Sequence, residues 1–76
     1  AANQISFAAT SSLNYTVPHG FISPNWIWSA PGSDNAIKNN LGNVNNYWID
    51  FDETNVYVRF VTQPASGTVF ITLFAI

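Results

Sequence analysis

The sequence predicts an all-β fold, a six-stranded antiparallel β-sandwich, and three observations carry that prediction. Runs of alternating apolar and polar residues recur along the chain, bounded by Pro, Gly, Ser and Asn. β-Branched and aromatic residues fill those runs, as strands favour. Six such segments fit within 76 residues, the spacing of a sandwich rather than of alternating strands and helices.

Asn3 to Thr10 alternates weakly, with Ile5 and Phe7 on one face, and reads as a first strand. Ser11 and Ser12 signal a turn. Leu13, Tyr15 and Val17 then define a second strand, with Asn14 and Thr16 opposite. Pro18-His19-Gly20 closes it, since Pro18 lacks an amide donor and Gly20 tolerates positive φ. Phe21 and Ile22 read as buried loop anchors, and Pro24 biases Ser23 towards extended backbone.

Asn25 to Ala30 reads as a third strand, with Trp26 and Trp28 on one face and Ile27 on the other. Pro31-Gly32 ends it. Ser33 to Asn46 is the longest polar interval. Ser33 or Asp34 could cap a helical turn over Ala36, Ile37 and Leu41, ended by Gly42. Its asparagines are poor helix formers and favour a loop instead. Tyr47 to Phe51 forms a fourth strand, with Tyr47, Ile49 and Phe51 facing away from Trp48 and Asp50. Asp52 to Asn55 makes a hairpin turn into the fifth.

The segment from Asn55 to Ile76 reads as two long strands joined into a further hairpin by Gln63-Pro64-Ala65-Ser66-Gly67. Val56, Val58 and Phe60 share one face of the fifth strand; Val69, Ile71, Leu73 and Ala75 share one face of the last. The last strand also carries Phe70, Phe74 and Ile76 on its other face. A strand apolar on both faces needs cover on both.

Residues 1–76 make one small domain, without cysteine for a disulfide or thiolate zinc site. A domain this small buries only about 60% of its unfolded surface, so association with other chains is expected. The charged fraction is 8% against 16% aromatics, and ten asparagines supply much of the polarity. Two basic residues, Lys38 and Arg59, leave a net charge of −2, which excludes a phosphate-steering footprint and with it duplex nucleic acid. No apolar run approaches the ~20 residues of a membrane helix. The chain opens on Ala1-Ala2 and has no methionine, the pattern expected of a C-terminal fragment of a longer protein.

Three short stretches carry a resemblance: Val17-Pro18-His19-Gly20, Pro64-Ala65-Ser66-Gly67-Thr68-Val69 and the terminal Leu73-Phe74-Ala75-Ile76. With their strand layout, the chain from Ile5 to Ile76 resembles the β-sandwich at the C-terminal tips of bacteriophage tail fibres and other receptor-binding proteins. It is also similar in layout to the H-type lectin domain. The resemblance implies a homotrimer packed around a threefold axis, located extracellularly at the tip of a virion's tail fibre. It also implies a non-enzymatic adhesin for a host cell-surface glycan or other receptor, or alternatively a structural trimerisation cap. The Trp-His pair with which H-type lectins hold their sugar reads Gln63-Pro64 here, and their arginine aligns with Asn43. Galactosamine-type specificity is therefore not expected.

The candidate ligand-binding residues are Trp48 and Trp28 as stacking platforms, with Asp34, Asn35, Asn39, Asn43 and Gln63 as hydrogen-bonding groups. The candidate trimer interface is Tyr57, Arg59, Val61, Phe70, Phe74 and Ile76. His19, the only histidine, reads as a turn residue bonding a nearby carbonyl. Asp50, Asp52 and Glu53 read as a solvated turn, with Asp52 or Glu53 pairing Arg59 of a neighbouring chain. They are too close together for a glycosidase pair and too few for calcium, so no catalytic residue, metal or cofactor is expected. Asn14-Tyr15-Thr16 matches a glycosylation sequon inside a strand and is taken as chance.

Overall fold

A computed structural model describes residues 1–29 and 38–76. The chain is all-β, with strands β1 (Ala2–Ala9), β2 (Asn14–Pro18), β3 (Ile27–Ser29), β4 (Tyr47–Phe51), β5 (Asn55–Phe60) and β6 (Gly67–Ala75). They form two three-stranded antiparallel sheets, ordered β1-β6-β3 and β2-β5-β4. The alternation gives each strand an inner face. Ile5, Ile27, Val69, Ile71, Leu73 and Ala75 of the first sheet meet Val56, Val58 and Phe60 of the second in one core.

The pairing corrects one expectation. β5 and β6 are not a hairpin: β5 pairs with β2 and β4, whereas β6 pairs with β1 and β3. Residues 62–66 cross from one sheet to the other. They are tied to the loop before β4, where Asn40 N–H donates to the Gln63 carbonyl (3.1 Å) and Ala65 N–H to the Lys38 carbonyl (2.7 Å). The physical reason lies in the inner faces. The inner rows of these two strands are the fully buried ones, and a row is buried best at the centre of a sheet facing a second sheet. The β4–β5 hairpin stands as expected.

β3 is shorter than the alternation suggests and begins at Ile27. Before it, Asn25 N–H donates to the Ile76 carbonyl (2.8 Å), and Ile76 N–H donates back to the Trp26 carbonyl (3.1 Å). One end of the core is aromatic: Phe7 stacks on Tyr15 at 4.6 Å, and Tyr15 meets Phe60 edge-on at 5.7 Å. The Tyr15 hydroxyl accepts from Thr10 N–H (2.9 Å) and donates to the Ser12 carbonyl (2.8 Å), pinning the crossing from β1 to β2.

Two loop expectations fail. Ile22 is 95% exposed rather than an anchor, while Phe21 beside it is half-buried and stacks on His19. Ser23 is not extended; its φ is +46°, in the left-handed region despite the following Pro24. The reason is the turn itself. Asn3 Nδ2 donates to the His19 carbonyl (3.0 Å) and Phe21 N–H donates to His19 Nδ1 (3.0 Å). Both anchors precede Ile22, so the chain must reverse sharply before Asn25 pairs with Ile76.

Candidate functional site

His19 is buried, and its ring closes a structural junction. Because Nδ1 accepts from Phe21 N–H, the hydrogen sits on Nε2 and donates to the Asp52 carbonyl (3.0 Å). Both nitrogens are occupied by backbone groups, one in its own loop and one in the β4–β5 turn, as expected of a turn histidine.

The hairpin Tyr47–Phe60 builds the outer face of the β2-β5-β4 sheet. Its register sets Asn14, Arg59 and Trp48 in one row and Thr16, Tyr57 and Asp50 in the next. Diagonal neighbours on one face come within reach of long side chains. Arg59 Nε accordingly donates to Asp50 Oδ2 at 3.0 Å, an exposed ion pair within the chain. Within the chain the partner of Arg59 is Asp50, whereas the expected pairing of Asp52 or Glu53 was with Arg59 of a neighbouring chain. Exposed pairs of this kind contribute at most about 1 kcal/mol, so the pair orients side chains more than it stabilises the fold.

Tyr57 donates along the same diagonal sense to Asp52 Oδ2. Asp52 Oδ1 accepts from Thr54 N–H (2.8 Å) and Asn55 N–H (2.6 Å), closing the hairpin turn. The Tyr57 hydroxyl first, then these two amides, lower the Asp52 carboxyl to about 2. The same bond to Asp52 pushes the Tyr57 hydroxyl upward from its ordinary value. Trp48 stands beside Arg59 on this face and is 52% exposed.

The outer face of the β1-β6-β3 sheet is chemically different. Trp28, Phe74 and Ala2 form one row across it, with Trp28 stacked on Phe74 at 5.9 Å. Phe70 and Thr72 continue the face along β6, and Gln4, Ser6 and Ala8 along β1. None of these residues is charged. Ile76 at the end of β6 is 73% exposed.

The structure therefore sorts the expected site residues into three places. Trp48 and Trp28 lie on opposite outer faces. Asn39 and Asn43 lie in the loop before β4, which meets the β5–β6 crossing at Gln63. There Asn39 Oδ1 accepts from Leu41 N–H (2.9 Å) and Asn43 N–H (3.0 Å), so its oxygen holds a turn rather than a ligand. Gly42, at φ +86°, completes that turn, and Leu41 beside it is exposed. Asp34 and Asn35 lie outside the described residues, as do Ala36 and Ile37 of the possible helical turn. Of the interface set, Tyr57 and Arg59 lie on the β2-β5-β4 face, Val61 is exposed just beyond β5, and Phe70, Phe74 and Ile76 belong to the other sheet.

Two residues escaped the sequence reading. Asn45 is buried and clamps Thr62: its Oδ1 accepts from the Thr62 hydroxyl (3.0 Å) and its Nδ2 donates to the Thr62 carbonyl. Nothing marks it among ten asparagines. Asp50 as the partner of Arg59 was recoverable, because the short β4–β5 turn fixes the register that makes them diagonal. A shallow depression of about 410 Å³ also opens beside Gly20, Phe21 and Ile22. Comparison of the chain with known protein families, curated proteins and solved structures found no match.

Proposed function

We propose that this chain is a non-enzymatic, receptor-binding tip of a trimeric fibre, an adhesin for a surface glycan of the host. The observation that carries the reading is the contrast between the two outer faces of the sandwich. One is uncharged and displays Trp28, Phe74 and Ile76, which suits burial against other copies of the chain. The other is polar and displays Trp48 beside charged groups, which suits recognition.

Symmetry narrows the interface in this reading. A threefold ring closes only if each chain's two contact surfaces both face the axis. Back-to-back faces propagate an open row instead. The interface is therefore assigned to the Trp28–Phe74 face with Phe70 and Ile76, and Tyr57 and Arg59 are left to the opposite, recognition face.

The alternative is a structural cap that trimerises in the same way and binds nothing. Host-cell binding by the parent fibre with and without this domain separates the two. Binding that depends on the domain and weakens on Trp48→Ala supports the adhesin; binding undiminished by removal of the domain supports the cap.

A further inference from the structure

The outer face of the β2-β5-β4 sheet holds a set of groups that the fold itself does not use up. Arg59 engages Asp50 through Nε alone. Among the described residues, its two Nη groups and Asp50 Oδ1 have no hydrogen-bond partner. Directly across the strand pair from Arg59 stands the exposed indole of Trp48. One flat aromatic surface thus adjoins an acceptor and a fork of donors. The ion pair orients both groups on that face.

We propose that this face is a saccharide platform selective for neutral sugars, a deepening that rests on the receptor-binding reading above. A pyranose ring has an apolar C–H face that suits an indole, and its hydroxyls both donate and accept. Asp50 Oδ1 accepts from one hydroxyl, and the Arg59 Nη groups donate to a neighbouring oxygen. Charge sets the class. Asp50 already offsets the charge of Arg59, and Asp52, bonded to Tyr57 on the same face, leaves that face net negative. A uronic or sialic acid would bring a further carboxylate to a face with excess negative charge, so acidic sugars bind more weakly than neutral ones. An open face with one aromatic and two polar partners binds a single sugar weakly, at about 1 mM, and relies on several copies for avidity.

Saturation-transfer NMR on the full chain tests this. The probes are the methyl glycosides of glucose, galactose, mannose and their N-acetylamino forms, alongside glucuronic acid and sialic acid. The expected result is binding of at least one neutral sugar, with both acidic sugars at least tenfold weaker. Trp48→Ala and Asp50→Asn should each weaken the neutral sugar tenfold or more, with the urea unfolding midpoint little changed because both side chains are exposed. Trp28→Ala should leave it unaltered. Preference for an acidic sugar overturns the proposal, as does neutral-sugar binding that survives Trp48→Ala but is lost on Asn43→Ala or Gln63→Ala. If no sugar binds while host cells are still bound through this domain, the platform fails and the receptor-binding reading stands. If neither binds, both fail.

Discussion

Among the described residues, Asp52 gathers more of the local structure than any other exposed one, and its consequences are measurable. Its folded pKa of about 2 lies below its ordinary value of 3.8, so its stabilisation is fully present above about pH 4. That contribution is lost as the pH falls towards 2. Tyr57 is shifted upward, so its contribution is present below about pH 10 and is lost as the pH rises beyond that. Asp52→Asn keeps the turn's amide acceptor but cannot titrate. Urea midpoints at pH 7 and pH 2.5 should therefore fall more steeply for the natural chain than for Asp52→Asn; equal falls would refute the assignment. His19 offers a second test. His19→Ala leaves the Asp52 carbonyl and Phe21 N–H without partners at a buried junction, at about 1–3 kcal/mol for each group. Denaturation of that variant should show at least the lower figure.

At the scale of elements, β6 is the strand on which the fold most depends, since it is the centre of its sheet and carries four core residues. Leu73→Ala should cost about 2–5 kcal/mol, whereas Trp48→Ala on an outer face should cost little. Comparable losses for the two would mean that the inner and outer faces are misassigned. The sequence made these faces legible because alternation with period two states directly which side chains share a side. It did not make the neighbours legible. Pro64-Ala65-Ser66-Gly67 has the chemistry of a tight hairpin turn, yet the same residues serve a crossing between sheets. The choice is decided by where two apolar rows are best buried, which no local signal encodes. Ile22 and Ser23 were misread for a related reason: hydrophobicity and the proline rule are average preferences, and two anchors upstream of a sharp reversal override both. The exposed pair of Asp50 and Arg59 was within reach of register arithmetic, whereas the clamp by Asn45 had no distinguishing sign.

At the scale of the whole molecule, a small domain with an uncharged, aromatic outer face and a polar opposite one is explained if the first face is covered by copies of the chain. The proposed division of labour has assembly on the β1-β6-β3 side and recognition on the β2-β5-β4 side. It makes the two separable by mutation. Trp48→Ala should weaken ligand binding tenfold or more and leave assembly intact, and a polar group on the Trp28–Phe74 row should disrupt assembly and spare the binding face. Sedimentation velocity of the chain at micromolar concentration, beside Phe74→Asp, is the most direct test. The account predicts a trimer for the natural chain and a folded monomer for the variant; a stable, folded monomer of the natural chain would contradict it.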